Sequence, residues 1–150
     1  MRRASRTLAV SAFLLASVAR SDGPAKPPSS EDALVVHLQD VQWAPPKLKE
    51  FPAGTAGAVV AVDPQTGGPV GYGKLPAGAT IPSHWHSFTE YTVLLSGKAT
   101  LTVEGKSVQL SAGDYFVIPA KAHHKLTCDG SATCVQFTRR AGPTDYHFDN

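Results

Sequence analysis

Short runs of alternating apolar and polar residues, separated by turn-forming residues, make up most of the chain after residue 33. Nine runs rich in β-branched or aromatic residues predict strands at 34–38, 58–62, 70–75, 91–95, 99–103, 107–110, 115–118, 124–127 and 134–138. Glu104-Gly105-Lys106 and Asp129-Gly130 predict tight hairpins. Outside the N-terminal segment, no window of eleven or more residues keeps the apolar period of a helix. The pattern predicts an all-β fold, either a sandwich or a small barrel.

Length and composition agree with a small β domain. A chain of 150 residues is expected to form one domain with one apolar core. Its 13 glycines and 12 prolines favour short strands and turns over long amphipathic helices. No internal repeat is visible at any period.

The N-terminal segment predicts export. A basic stretch at 1–6 precedes an apolar stretch at 7–18, and small residues at 17–19 suit cleavage, so residues 1–19 are interpreted as a signal peptide. The apolar stretch is shorter than the ~20 residues that span a bilayer, although an uncleaved anchor or a spurious N-terminus is the alternative. Residues 20–33 are rich in Pro, Ser and charge and predict a flexible linker, followed by a single domain at 34–150. The mature protein is expected in the periplasm or outside the cell, free of the membrane.

The charge of the mature chain argues against a nucleic-acid partner. The full chain has 14 basic and 12 acidic residues. Residues 1–19 hold three of the basic residues and no acidic one, which leaves 11 against 12 and a net charge of −1. No cluster of Lys or Arg remains to bind a phosphate backbone. The pair Arg139-Arg140 is isolated and is interpreted as a solvated strand end.

Two histidines and a glutamate lie close together between two glycines, in the stretch GATIPSHWHSFTEYTVLLSG (78–97). His84, His86 and Glu90 have equal parity, so an extended chain can direct all three to one face. A helix would separate the two histidines by about 200°. Two imidazoles and a carboxylate suit a divalent transition metal (Fe, Mn, Cu, Ni or Zn) better than calcium.

The flanking residues give this stretch the pattern G-x5-H-x-H-x3-E-x6-G, which resembles the first motif of the cupin family. The second cupin motif, G-x5-P-x-G-x2-H-x3-N, is similar to GDYFVIPAKAHHKLTC, which has Gly113, Pro119 and His124 in place. This chain departs from that motif at Lys121, where glycine is usual, and at Cys128, where asparagine is usual. The resemblance covers roughly residues 71–137.

The resemblance implies a double-stranded β-helix of the jelly-roll kind. It also implies a metal site made by His84, His86, Glu90 and His124, with two coordination positions left open for substrate, water or oxygen. The residue beside the last ligand, His123, points to the opposite face of its strand and is either exposed or a proton-moving group at the pocket rim. Aromatic candidates for the pocket wall are Tyr72, Trp85, Phe88, Tyr91, Phe116 and Phe137.

Two features outside the motifs complete the expectations for the site. Cys128 and Cys134 flank an Asp-Gly turn and predict a disulfide in an exported protein, with a cysteine sulfur near the metal as the alternative. Tyr146, near the C-terminus, either lines the pocket mouth, as tails of similar single-domain cupins do, or belongs to a frayed end.

Three functions follow from these expectations. The first is a dioxygenase-like oxidoreductase that acts on a small chelating substrate. The second is a metal-dependent isomerase or lyase, and the third is a non-catalytic module that binds a small ligand or senses metal. The candidate proton-transfer residues are few, namely Glu90, His123 and Tyr72, which favours oxygen chemistry over isomerisation. The resemblance includes a homodimer among the expected assemblies.

Overall fold

Two antiparallel β-sheets build the protein in a computed structural model that describes residues 33–149. The strands are β1 Ala56–Val62, β2 Pro69–Leu75, β3 Thr80–Trp85, β4 Glu90–Ser96, β5 Lys98–Val103, β6 Lys106–Ser111, β7 Tyr115–Ile118, β8 His124–Asp129, β9 Cys134–Arg140 and β10 His147–Phe148. One sheet has the order β1-β2-β9-β4-β7 and the other β10-β3-β8-β5-β6. The all-β jelly-roll prediction is confirmed.

Side chains that point inward from alternate positions of the strands form the core between the two sheets. Even-numbered residues of β4, β8 and β9 face inward, because neighbouring side chains of a strand point to opposite faces. Leu94 in one sheet and Leu126 in the other contribute to a single cluster of buried apolar side chains. The same parity turns polar residues inward at one end of these strands, and that end holds the candidate site.

The hairpin between β5 and β6 forms where the sequence predicts it. Glu104 and Gly105 both have positive φ, 47° and 76°. Such a pair of left-handed residues forms a two-residue turn whose twist matches that of antiparallel strands. Eight of the nine predicted strands are present, with ends shifted by no more than two residues.

The predicted strand at 34–38 is wrong. Residues 33–37 form no regular structure, and a 3-10 turn follows at Leu38–Asp40. Val35 is 70% exposed, so its apolar side chain is not part of a sheet face. A β-branched run becomes a strand only where another strand offers backbone partners, and its own alternation does not supply them.

The predicted signal peptide and nearly all of the predicted linker lie outside the described residues. Within 33–149 there is no helix with the length and apolar character needed to cross a membrane.

Cys128 and Cys134 form the predicted disulfide, with Cα atoms 5.7 Å apart. The bridge joins the end of β8 to the start of β9, and both cysteines belong to the buried core. It therefore ties the second sheet to the first. Neither sulfur is available as a metal ligand while the bridge is intact.

Reduction of this disulfide is expected to lower the free energy of unfolding by about 2 kcal/mol, because the closed loop is short and constrains few residues of the unfolded chain. Urea unfolding with and without dithiothreitol measures the change. A Cys128→Ala/Cys134→Ala variant is the control and should not respond to the reductant. Equal stability of the wild type in both conditions would contradict this assignment.

Candidate metal centre

Three histidines meet inside one end of the sheet sandwich. His84 lies near the end of β3 and His124 begins β8, and the two residues are directly paired in the antiparallel register. His86 follows β3 immediately, where the chain leaves the strand. One ring nitrogen from each histidine lies within 4.8 Å of the other two, and all three residues are buried. The three histidines are therefore positioned to bind a metal.

The backbone fixes the tautomer of each ring. Nδ1 of His84 lies 2.7 Å from the carbonyl oxygen of Pro82, and Nδ1 of His124 lies 2.9 Å from that of Ala122. Nδ1 of His86 contacts the carbonyl oxygen of Asp145 in the same way. A carbonyl oxygen only accepts, so each Nδ1 donates and each Nε2 keeps its lone pair. Three Nε2 lone pairs are the donors that a transition metal requires.

Glu90 lies beside the histidines and is held by an arginine. Glu90 and Arg140 are opposite each other in the β4–β9 register, so both side chains enter the same interior. Nη2 of Arg140 donates to Oε2 of Glu90 at 2.7 Å, and the hydroxyl of Thr92 donates to Oε1 at 3.1 Å. Burial raises the pKa of Glu90, but Arg140, His86, His124 and the Thr92 hydrogen bond together outweigh burial and hold that pKa below its usual value. Glu90 is therefore an anion although it is only 5% exposed.

The contact between His86 and Glu90 provides the test of whether a cation fits. Nε2 of His86 lies 3.4 Å from Oε2 of Glu90, is buried, and has no hydrogen-bond partner among the described residues. With Nδ1 donating, this contact joins two acceptors with no proton between them, which is unfavourable in a buried site. A cation that binds at about 2.0–2.2 Å reaches both atoms from one point and removes the repulsion. The donor set therefore fits a divalent transition metal.

The pKa values of the histidines agree with a set of neutral donors. Burial, followed by the neighbouring His124, lowers the pKa of His84 to about 4. Burial, followed by Arg140, lowers the pKa of His86 to about 4. Burial also lowers the pKa of His124. The rings are accordingly neutral at physiological pH.

Stability of the metal-free protein is expected to decrease as pH falls from 6.5 to about 4. In that range an unfolded histidine binds a proton, whereas folded His84 and His86 do not, so protonation favours the unfolded chain. Each histidine contributes a slope of at most about 1.4 kcal/mol per pH unit. Urea unfolding in EDTA at several pH values measures the slope. A His84→Asn/His86→Asn variant should have a shallower slope, and an unchanged slope in that variant would contradict the assignment.

At the two positions where the sequence departs from the second motif, the loop keeps its geometry and the core keeps its packing. Lys121, which stands where the motif has glycine, adopts φ 64°, the left-handed conformation that glycine favours. Its backbone N–H donates to the carbonyl oxygen of His86 at 2.8 Å, so the loop still contacts the metal-site segment. Cys128, which replaces asparagine, is fully buried in the core.

The C-terminal tail covers the histidines. β10 pairs with β3 through Phe148 opposite His84. The Tyr146 ring lies 4.6 Å from the His86 ring, and the Phe148 ring lies 5.2 Å from the His84 ring, between centroids. A carboxylate oxygen of Asp145 accepts from the Ser87 backbone N–H at 3.0 Å. The tail is thus an ordered part of the site, and of the two interpretations of Tyr146 the frayed end is wrong.

Two adjoining cavities lie at this end of the sandwich, and only the smaller one reaches the histidines. The smaller, of about 30 Å³, is lined by His84, Glu90 and His124 and has room for one ion-sized or water-sized group. The larger, of about 880 Å³, extends between β1, β2, β9 and the segment 44–51 and is mainly apolar. The residues that line both cavities are Ile81, Leu126, Gln136, Arg140 and Tyr146.

The structure separates the other proton-transfer candidates from the histidine cluster. His123 has a half-exposed side chain, and its Nδ1 lies 2.8 Å from a carboxylate oxygen of Asp149. Tyr72 packs against Phe137, with ring centroids 5.1 Å apart, and lines the larger cavity. Their catalytic roles, like the ligand role of Glu90, stay predictions.

The aromatic wall differs from the one expected from the sequence. Phe116 lines the small cavity, whereas Trp85 stacks on His147 and Tyr91 lies under the guanidinium of Arg139. Tyr146 and Phe148 also lie against the histidine rings, and Phe51 packs edge-on against both of these aromatic residues.

The interpretation of Arg139-Arg140 as a solvated strand end is wrong for Arg140. Arg140 is 7% exposed, whereas Arg139 faces outward and pairs with Asp63. Strand parity was the available signal, since residue 140 shares the inward face with Cys134, Gln136 and Thr138. The partner, Glu90, lies fifty residues away in the sequence, so the ion pair of Arg140 could not be inferred locally.

Comparison with known proteins identifies the same region. The family model described as "Cupin domain" matches residues 71–138. Quercetin 2,3-dioxygenase of Bacillus subtilis is 34% identical over 59 residues, which is 39% of this chain and 18% of that protein. An uncharacterized protein, y4oW, of Sinorhizobium fredii is 34% identical over 64 residues, 43% of this chain and 28% of that protein. The matched part of the chain thus spans less than a third of either relative.

Solved structures show the same fold at low sequence identity. The polyketide cyclase RemF from Streptomyces resistomycificus aligns with a TM-score of 0.65 and 16% identity, over 79% of this chain and 87% of that chain. Identity at this level supports the shared fold and nothing more specific.

Proposed function

We propose, from the premise that this chain belongs to the cupin superfamily, that it is an exported, metal-dependent oxidoreductase of the dioxygenase type. Its substrate is a small molecule that chelates the metal through two oxygen atoms or similar donors. The observation that carries the proposal is the convergence of three neutral Nε2 donors and one buried carboxylate beside an apolar cavity large enough for such a molecule. The partial similarity to a quercetin 2,3-dioxygenase supports the same class of reaction.

The residues of the site hold and orient the reactants. His84, His86, His124 and Glu90 are the proposed ligands of a divalent ion, which when bound supplies the activation of oxygen and of the chelated substrate that side chains lack. The three backbone carbonyls keep each Nε2 directed inward. Tyr146 and Phe148 exclude bulk water on the side of the tail.

The scarcity of proton-transfer groups favours this function over an isomerase or lyase. Glu90 is ionised but accepts hydrogen bonds from Arg140 and Thr92, and its lowered pKa makes it a weak base. Burial raises the pKa of Tyr146, whose hydroxyl accepts from Arg140. His123 is directed to Asp149 at the surface. Enolate chemistry needs a base of near-neutral pKa at the substrate; the pKa values of Glu90 and Tyr146 are shifted away from neutrality, and His123 lies outside the cluster.

A binding module is the second candidate. The tail packs directly against two of the histidines, and none of the three histidines lines the larger cavity. Such closure suits a protein that retains a ligand without turning it over.

Metal reconstitution separates these functions. The protein is stripped with EDTA and loaded in turn with Fe²⁺, Mn²⁺, Ni²⁺, Cu²⁺ or Zn²⁺, and oxygen uptake is measured with catechols, thiols and 1,3-diketones. Uptake with a redox-active metal but not with Zn²⁺, which has no redox chemistry, is the expected result. Tight metal binding without any turnover would overturn the oxidoreductase in favour of the binding module. The His123→Ala variant is a matched control for metal loading only, since its side chain lies outside the cluster.

Export is part of the proposal and has its own test. A disulfide is typical of an oxidising compartment, and residues 1–19 have the pattern of a signal peptide. The N-terminus of the protein recovered from its host is expected at Arg20. A cytoplasmic protein that starts at Met1 and has reduced cysteines would contradict export.

A further inference from the structure

The three histidines of the cluster are oriented by different parts of the chain. His84 and His124 donate from Nδ1 to carbonyl oxygens two residues earlier, so each ring is fixed by its own segment. The acceptor for Nδ1 of His86 is the carbonyl oxygen of Asp145, which lies 59 residues later in the sequence. One donor of the cluster therefore depends on the C-terminal tail, residues 145–149, for its direction.

The position of His86 explains this dependence. β3 ends at Trp85, so His86 lies just beyond the last residue of the strand. Its carbonyl oxygen accepts from the backbone N–H of Lys121, which holds the main chain but does not fix the rotation of the ring. Nε2 has no hydrogen-bond partner among residues 33–149. The contact of Nδ1 with Asp145 is thus the one that sets the orientation of the ring.

The side chain of Asp145 holds its carbonyl group in place. One carboxylate oxygen accepts from the backbone N–H of Ser87, the residue after His86, at 3.0 Å. The other lies 3.1 Å from Nε2 of His147, whose ring stacks on Trp85 with centroids 3.8 Å apart. Hydrogen bonds to an ionised carboxylate are stronger than those between neutral groups. Asp145 therefore binds the segment that carries His86 through both its backbone and its side chain.

The rest of the tail is held by a small number of polar contacts. β10 has two residues and lies at the edge of its sheet, where it pairs with β3. The backbone N–H of Asp149 donates to a carbonyl oxygen of β3 at 3.0 Å, and the Tyr146 hydroxyl accepts from Arg140. Before the tail, Gly142 packs so closely on Phe88 that an added Cβ would lie 2.4 Å from its ring. Segments with few backbone hydrogen bonds open most readily, so local opening is expected after Gly142.

We propose that Asp145 is a positioning residue of the metal centre, which docks the tail on Ser87 and thereby directs Nε2 of His86 to the cation. The inference deepens the proposed function and rests on it only in taking His86 as a metal ligand. When the tail leaves, the His86 ring loses its acceptor and is free to rotate away from the other two histidines. A donor that must be ordered on binding contributes less affinity than a donor that is already ordered.

Metal binding and docking of the tail are therefore one coupled equilibrium. A cation bound to Nε2 of His86 keeps Nδ1 directed at Asp145 and so stabilises the docked tail. The factor by which docking strengthens metal binding is necessarily the factor by which metal strengthens docking. The coupling is measurable without any substrate and without turnover.

The affinity for Zn²⁺ tests the role of the side chain. Asp145→Ala is expected to lower it about 10- to 100-fold, the usual effect of removing a group that supports a ligand. Asp145→Asn keeps an oxygen that accepts from the Ser87 N–H and should stay within about threefold of the wild type. Asp114→Ala is the matched control, because the Asp114 carboxylate also accepts from a backbone N–H, at 2.7 Å, but in the turn between β6 and β7. Wild-type affinity in Asp145→Ala, or an equal loss in Asp114→Ala, would overturn the proposal.

Hydrogen exchange of the tail separates positioning from general support of the fold. In the wild type, Zn²⁺ is expected to slow exchange of the Asp149 N–H by about tenfold or more. The Asp114 N–H, which also donates to a carbonyl oxygen at 3.0 Å, should not respond to Zn²⁺. In metal-free Asp145→Ala, exchange at Asp149 should be faster than in the wild type and exchange at Asp114 unchanged. Tail exchange that responds neither to Zn²⁺ nor to Asp145→Ala would overturn the coupling.

The outcomes separate this inference from the proposed function. Zn²⁺ binding and tail exchange that depend on Asp145, in a protein that takes up no oxygen with any metal, support the inference and defeat the oxidoreductase. Oxygen uptake in a protein whose metal affinity and tail exchange are insensitive to Asp145 does the reverse. A wild-type protein that binds none of the metals would overturn both.

Discussion

Replacing His86 by alanine is expected to lower the affinity for a divalent transition metal by more than about 100-fold, which exceeds the usual effect of losing a group that only supports a ligand. Nε2 of His86 is buried without a partner and faces a carboxylate oxygen of Glu90 at 3.4 Å. Its removal deletes one donor of the cluster and leaves Glu90 without a neighbouring ligand. Competition with a chromophoric chelator measures the affinity, and elemental analysis of the purified protein measures occupancy.

His123→Ala is the matched control for this experiment, because His123 is adjacent to His124 in sequence but directed to Asp149 at the surface. Its affinity for metal is expected to stay close to that of the wild type. Circular dichroism and thermal melting in EDTA confirm that both variants fold. Equal losses of metal in the two variants would mean that the ligand next to residue 123 is wrongly assigned.

Replacing Arg140 by methionine is expected to lower the free energy of unfolding of the metal-free protein by about 3–5 kcal/mol. The substitution keeps much of the side-chain volume but leaves the Glu90 carboxylate buried without its cation. The cost follows from that unpaired charge, since burial alone would raise the pKa of Glu90. Urea unfolding at neutral pH in EDTA measures the loss.

Two comparisons show whether the unpaired charge is responsible. Arg140→Met/Glu90→Gln removes the charge and should recover most of the lost stability, whereas Arg139→Met, at an exposed ion pair, should change stability little. Added metal should also stabilise Arg140→Met, because a cation at the cluster compensates Glu90. A double variant as unstable as Arg140→Met would contradict the role given to the ion pair.

Strand positions and the shared parity of His84 and His86 were predictable from the sequence because both depend on local periodicity, whereas His124 was added through the resemblance to the cupin motifs. Eight of the nine predicted strands are present in the two sheets, and His84 and His86 both lie inside, as their shared parity predicts. The exception, 34–38, has the same local pattern but no neighbouring strand to pair with. Alternation therefore identifies residues that are able to form a strand, and pairing selects among them.

The sequence by itself determined the β-fold, the pair His84 and His86 and the cysteine pair, because spacing and parity are properties of short segments; the resemblance to the cupin motifs supplied His124. Only the tertiary structure decided that Arg140 is buried against Glu90, that the tail from Asp145 to Phe148 covers the site, and that a cavity of about 880 Å³ adjoins it. Each of these contacts joins residues that are far apart in the sequence, such as His86 and Asp145. Their meeting depends on how the two sheets pair and close, and no local pattern in the chain encodes that register.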